Sequence, residues 1–269
     1  MAWYHTTGQD QDIVLYTDVR LARNLRAYPF THRLDAAGAR EIIDSVGAVL
    51  EENGFCKRDF ADISRAEAYS LVERQYASLS FVKKSLPHAL YLNEPCSMSA
   101  MLCEEDHINL QCIPAGRALC EAYASVSRVE RFLDERFDMA FTEGEGYLSP
   151  FPGVADGGMQ ISALLCLPSM VEAGQMGRWI ESLSGAGVCL RSIRDEKGCL
   201  PLYRCFQLSQ GHQGYGASHR LYEGSREGLS DLPYRGDPLP NPQRWRAEQL
   251  LRHLHLYQLG KRQGYGIYA

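Results

Sequence analysis

The sequence predicts an α+β fold, an antiparallel sheet flanked by helices, on three observations. Segments with strand character do not alternate one for one with helices, as a doubly wound parallel sheet would require. Residues 97–113 read as two adjacent strands closed by the acidic turn Glu104-Glu105-Asp106-His107, the pattern of a hairpin. The helical segments each carry one apolar stripe, which reads as core and not as a cofactor box.

The first helix is predicted over residues 35–54. Asp35 can cap it, Ala39, Ile42, Ile43, Val46, Val49 and Leu50 share one face, and Gly54 ends it. Strands follow at 97–103 and 108–113, then a helix at about 115–137 whose stripe is Leu119, Ala122, Val126, Val129 and Leu133. A strand at 159–167, a helix near 174–184 built on Met176, Trp179, Ile180 and Leu183, and strands at 186–193 and 202–208 complete the sheet. Residues 209–242, rich in Gly, Ser, Pro and Tyr, read as a long loop. A last helix is expected over about 243–260, with Ala247, Leu250, Leu251, Leu254 and Tyr257 inward.

Composition narrows the function classes. The chain has 269 residues, 45% hydrophobic and 23% charged, which suits one large folded domain or a small lobe docked on a larger one. A formal net charge of -5 argues against a general binder of nucleic acid or anionic membrane. The start, MAWYHTTGQDQD, is polar, so no signal peptide is expected, and no stretch approaches the ~20 apolar residues of a membrane span. The nine cysteines never form Cys-x-x-Cys and sit mostly among apolar neighbours, the habit of reduced thiols in a cytoplasmic protein.

The stretch MLCEEDHINLQC, residues 101–112, concentrates chemistry. Three readings fit it. Cys103, Glu105, His107 and Cys112 are acceptable metal-ligand types, although zinc sites normally pair their ligands at tighter, repeated spacings. The turn could instead be solvated, with Asp106 and His107 hydrogen-bonded within it. Paired carboxylates also suit a planar guanidinium, which they bind through two parallel hydrogen bonds.

Several colinear stretches resemble the ATP:guanido phosphotransferase family, in particular its bacterial protein-arginine kinase branch. They are DIVLYTDVRLARNLRAYPF at 12–30, MLCEEDHINLQC, DMAFTEGEGYLSPFPGVADGGMQISALLCLP at 138–168, and RQGYGIYA at the end. The resemblance implies the guanidino-kinase fold, with a small helical N-terminal lobe over residues 1–85 and an antiparallel-sheet domain over 86–269. It implies transfer of the γ-phosphoryl group of Mg-ATP to a guanidinium nitrogen, chemistry that asks a protein mainly for positioning and charge stabilisation. Glu105 sits where the family places the carboxylate that holds the guanidinium. The phosphoarginine-binding, dimerising domain that follows in the bacterial branch is not expected in this chain.

Position by position the motifs depart from the family. Asp18 replaces the leading phosphate-contacting arginine of the first motif, while Arg20 keeps the second. Asn109 and Gln160 stand for two further arginines, Phe151 for the reactive cysteine, Val154 for an asparagine, and Gln75 for a histidine placed near the nucleotide. LRSIRDEKG keeps Arg191, Arg194 and Glu196 but puts Ser192 and Asp195 at glycine positions. Asp18 would set a negative charge against a polyphosphate. Removing one preorganised donor lowers the rate about 10²- to 10³-fold, so three substituted arginines amount to on the order of 10⁶ if independent. The resemblance with these departures predicts a pseudokinase that binds or regulates a protein partner: an active protein-arginine kinase, its zinc-finger activator or a protein-degradation chaperone. Self-association is compatible with it. The rival expectation is an active kinase using Arg20, Arg191, Arg194 and cations such as Arg220 or Arg226, with Glu105 on the acceptor. A metal- or thiol-responsive module built on the cysteines is the third.

Overall fold

The computed structural model describes residues 3–58, 63–93, 97–143, 146–150, 158–185, 188–195 and 198–207. Its strands are β1 (Val14–Arg23), β2 (Cys56–Arg58), β3 (Ala89–Asn93), β4 (Met98–Leu102), β5 (Ile108–Cys112), the short pair β6 (Phe141–Thr142) and β7 (Gly146–Tyr147), β8 (Met159–Cys166), β9 (Val188–Asp195) and β10 (Gly198–Gln207). The helices are α1 (Ala36–Glu52), α2 (Arg65–Glu73), α3 (Leu79–Val82), α4 (Leu119–Asp134), α5 (Pro168–Glu172) and α6 (Met176–Gly185). Eight strands form one sheet in the order β2-β3-β4-β5-β1-β8-β10-β9. Every neighbouring pair is antiparallel, as predicted.

One face of this sheet carries the main core. Val19 and Leu21 of β1, Leu110 of β5, Leu102 of β4 and Leu165 of β8 pack with Ile42, Val46 and Leu50 of α1 and Ala122, Val126 and Leu133 of α4. The periodicity that predicted α1 is the stripe it buries. Its ends behave as read: the Asp35 carboxylate accepts the Gly38 N–H at 2.8 Å, and Gly54 takes the left-handed φ of 79° that stops a helix. The opposite face is apolar at one end, where Leu71, Tyr76 and Phe81 cover Leu90, Leu92 and Met101. Tyr16, Ile113 and Leu164 form a smaller apolar patch with Trp3, Ile193 and Leu202.

Two expectations change. The first 85 residues are not a helical unit only, because they contribute β1, the strand that joins the β5 and β8 halves of the sheet. The helix expected from about 115 begins at Leu119. Residues before it are committed to β1: the Thr17 N–H donates to Pro114 O at 3.2 Å, the Gly116 N–H to Leu15 O at 3.1 Å, and the Thr17 hydroxyl to Gly116 O at 2.7 Å. Gly116, at φ 68°, lies so close to the 8–9 backbone that a Cβ there would stand 2.4 Å from Gln9 O. The loop at 209–242 and the helix at 243–260 lie outside the described residues.

Candidate functional site

Strand register gathers most of the predicted positions on the second face. Asp18 and Arg20 of β1 stand opposite Ser162 and Gln160 of β8, and Arg20 stands opposite Gln111 of β5. Because side chains alternate along a strand, Asn109, two residues from Gln111, shares that face. Arg204 of β10 pairs with Leu164 of β8, which pairs with Tyr16 of β1, and Arg204 also stands opposite Arg191 of β9. Gln75, from the turn after α2, reaches the same patch through Tyr16 and Arg204. Arg194 lies on β9, while Phe151, Val154 and Glu196 lie outside the described residues.

Asp18 is the centre of this face. It is 4% exposed, and a carboxylate so placed needs hydrogen bonds or a counter-ion. It has both. Arg20 Nε donates to Asp18 Oδ2 at 3.1 Å, Gln111 Nε2 to Oδ1 at 2.9 Å, and Ser162 Oγ to Oδ2 at 3.3 Å. Gln111 is itself oriented by Ser99, whose hydroxyl donates to Gln111 Oε1 at 3.1 Å. Arg20 is thereby engaged by Asp18, its neighbour two residues earlier on β1. Gln160 is exposed beside this pair.

The acidic turn closes β4 onto β5 and is anchored from below. Leu102 pairs with Ile108, and the Cys103 N–H donates to His107 O at 2.8 Å, leaving residues 103–107 as the loop. Asp106 Oδ1 accepts from Asn24 Nδ2 at 2.6 Å and Ser149 Oγ at 2.8 Å, and burial holds its carboxyl above the ordinary value. His107 Nδ1 accepts the Leu25 N–H at 3.0 Å, so Nε2 carries the proton and donates to Pro29 O at 2.9 Å. Burial pushes its pKa down and keeps the ring neutral. With both nitrogens on the backbone, His107 is not available to a metal. Cys103 is buried with its thiol on Ala39 O at 3.7 Å, and burial pushes that thiol up to about 12, so it is not a reactive nucleophile.

The two glutamates of the turn divide. Glu104 is buried, accepting from Ser78 Oγ at 2.5 Å and Asn109 Nδ2 at 3.3 Å, while Lys84 donates to its backbone carbonyl. Glu105 is exposed. Desolvation, then the Glu104 and Asp106 charges, raises its carboxyl above the ordinary value. Of the turn's carboxylates it is the one presented to a cationic group from outside.

Arg23 is no surface residue. It is 2% exposed, ion-paired with Glu130 of α4 and stacked 3.7 Å from the Tyr147 ring centroid. Gly158, at φ 63°, lets the chain entering β8 pass so closely that an added Cβ would meet Ala22 O at 2.5 Å. Arg204 was not among the predicted positions. Its Nη2 donates to Gln75 Oε1 at 2.9 Å and to the Tyr16 hydroxyl at 3.2 Å. The only local signal for it is a lone cation in the strand LPLYRCFQ.

Comparison with known proteins agrees with this geometry. The model of the ATP:guanido phosphotransferase C-terminal catalytic domain matches residues 41–210. β1 with Asp18 and Arg20 precedes that match but is hydrogen-bonded into the same sheet. The protein-arginine kinase of Clostridium acetobutylicum is 31% identical over 212 residues, 77% of this chain and 62% of that protein. That of Halalkalibacterium halodurans is 29% identical over 260 residues, 87% of this chain and 73% of that protein. The chain spans between 59% and 62% of the first three protein-arginine kinases it matches. Among solved structures, the substrate-free duplicated taurocyamine kinase from Schistosoma mansoni has a TM-score of 0.64 at 16% identity, covering 86% of this chain and 37% of that one. Lombricine kinase has 0.60 at 13%, covering 82% and 69%. At those identities the likeness is one of fold. Sequence match and sheet architecture agree, and the chain belongs to the ATP:guanido phosphotransferase family.

Proposed function

We propose that this domain is a pseudokinase with a binding or regulatory role. One observation carries the reading: Asp18, which the resemblance sets at a family arginine position, is buried and holds Arg20 in an ion pair. A polyphosphate laid across β1 would meet a carboxylate whose hydrogen bonds from Gln111 and Ser162 fix it in place, and an arginine already neutralised. Asn109 and Gln160, neutral on the same face, add no compensating charge. These residues do not fit the Mg-ATP triphosphate as the family binds it. By resemblance, the partners are proteins: an active protein-arginine kinase, its activator or a degradation chaperone, in a cytoplasmic setting. Homo-oligomers are a further form of the same proposal.

A second reading has its own support. Glu105 is exposed at the guanidinium-binding position, with a carboxyl of raised proton affinity, and Arg191 supplies an exposed cation on the same face. A divergent protein-arginine kinase would use Glu105 on the acceptor and Arg191 with Arg204 on the phosphates.

Phosphoryl transfer separates the two. The purified chain, incubated with Mg-ATP and an arginine-rich test protein, is expected to form no acid-labile phosphoarginine. A nucleotide bound at 100 times its dissociation constant adds about 2.7 kcal/mol to stability. Mg-ATP is expected to raise the melting temperature no more than inorganic phosphate does at equal ionic strength. Phosphoarginine above the level made by a Glu105→Gln variant would establish the active kinase instead.

A further inference from the structure

We infer that β9 is the interface between two copies of this chain, which pair edge to edge about Ile193 and continue the sheet from one copy into the other. The inference rests on the homo-oligomeric form of the binding role proposed above. The large sheet ends in β2 on one side and in β9 on the other. An edge strand presents a row of unpaired N–H and C=O groups, and folded proteins blunt such edges by shortness, charge or bulges. β2 is blunted: it is the three residues Cys56-Lys57-Arg58, all exposed. β9 runs eight residues, and among the described residues its outer side pairs with no strand. The irregularity between β9 and β10 lies in β10, which passes from Cys199 to Tyr203 while β9 passes from Arg194 to Ser192. The backbone of β9 itself is left continuous.

Charge decides what fits that edge. Arg191 is exposed and stands opposite Arg204 of β10, and like charges directly opposite one another destabilise a sheet. A strand added on the outer side relieves this if it brings a carboxylate to position 191. The β9 sequence Arg191-Ser192-Ile193-Arg194-Asp195 is complementary to itself when read antiparallel. With Ile193 on a two-fold axis, position 191 of each copy stands opposite position 195 of the other, arginine against aspartate, and Ile193 stands opposite its own equivalent. An axis through Arg191 or Arg194 would set two arginines face to face, and one through Ser192 would set Arg191 against Ile193. Of the axes through residues 191 to 194, the one at Ile193 alone matches opposite charges. By alternation, positions 191, 193 and 195 share the open face, where Ile193 already packs against the apolar patch of Tyr16, Ile113 and Leu164. Pairing Ile193 with itself extends that patch across the axis.

Sedimentation velocity of the purified chain at neutral pH tests the inference. The parent is expected to sediment as a dimer that dissociates on dilution. Arg191→Asp and Asp195→Arg each turn attractive pairs repulsive and should weaken the dimer about tenfold or more, and the double variant Arg191→Asp/Asp195→Arg should restore it. Recovery by the double variant separates a lost pairing from a misfolded chain. A short bismaleimide should cross-link Ile193→Cys into dimers beyond the level of the parent, whose own free cysteines set the background. The inference is overturned by a monomeric parent, by a dimer that both charge reversals leave intact, by a double variant no tighter than the single ones, or by a folded Ile193→Cys that cross-links no more than the parent. These outcomes stand apart from the phosphoryl-transfer test. A monomeric parent leaves a pseudokinase with other protein partners, whereas phosphoarginine formed by a β9-paired dimer overturns the pseudokinase alone.

Discussion

Arg20 and Arg204 stand on the same face of the same sheet, with only β8 between their strands, and they meet different company. Arg20 is held by Asp18, a carboxylate locked by Gln111 and Ser162. Arg204 is held by a glutamine and a tyrosine. Near β1 the face has supplied its own anion, and its electrostatics are closed. Near β9 and β10 the cations meet no carboxylate among the described residues. Two arginines on one face of one sheet are thus held in opposite ways, one by a carboxylate and one by neutral oxygens, with a single strand between them.

The largest effect expected of any substitution tests how far the fold depends on matched charge. Arg23 and Glu130 form the buried counterpart of the Arg20–Asp18 pair, joining β1 to α4. Glu130→Ala would take away the carboxylate that pairs with the buried Arg23 guanidinium, and breaking such a pair typically costs about 3–5 kcal/mol. Urea unfolding is expected to show a loss of that size. A loss near zero would mean that the remaining contacts of Arg23, the Tyr147 ring and the Ala22 carbonyl among them, suffice to hold it.

Next in size is Asp18→Ala, which breaks the comparison directly. The Gln111 amide and Ser162 hydroxyl lose their acceptor in a buried setting, a loss of about 1–3 kcal/mol. The freed Arg20 should then raise the affinity of the centre of the face for phosphate above that of the parent. Stability measured by denaturant and phosphate binding measured by calorimetry should move in opposite directions. If phosphate affinity is unchanged, Asp18 is not what closes the centre.

What was legible in the sequence follows the same division. The β4–β5 hairpin, β8, β9, β10 and α1 with its Asp35 cap were readable because their signals are local: alternation, a turn, a stripe, a capping side chain. β1 was missed although it holds the sheet together, because its second face is polar and Asp-Val-Arg-Leu-Ala-Arg looks like a surface segment. What makes that face buriable are partners 93 and 144 positions away in the chain. The candidate positions came from resemblance, and register then put Asp18, Arg20, Asn109, Gln160 and Arg191 together. Arg204 had no such guide, since its acceptors lie 129 and 188 positions away.

The third prediction concerns acid. His107 is buried neutral, with its pKa pushed below the ordinary 6.5 by desolvation. Its contribution to stability is whole above 6.5 and is lost as the pH falls through the lowered folded value, because the unfolded chain takes up the proton first. Melting temperatures between neutral pH and pH 5 should fall for the parent and fall less for His107→Gln, which starts lower because it fits the Leu25 and Pro29 backbone groups less well. An unchanged slope in the variant would place the acid sensitivity elsewhere.

The smallest effect comes from the adjacent residue and has the opposite sign. Burial raises the Asp106 carboxyl above its ordinary 3.8, so the folded state holds this proton more tightly than the unfolded chain does. Its stabilisation is present below 3.8 and is lost as the pH rises through the raised folded value, partly offsetting the loss from His107 in the acid range. Asp106→Asn keeps an oxygen for Asn24 and Ser149, both of which donate to the same carboxylate oxygen, and removes the desolvated charge. Stability at neutral pH should change by no more than about 1 kcal/mol, with the hydrogen bonds preserved. The decline in melting temperature on acidification should steepen, since the compensating proton uptake is gone. A shallower decline would mean that Asp106 is ionised more easily in the folded turn than in the unfolded chain, and that Asn24, Ser149 and Arg23 outweigh its burial.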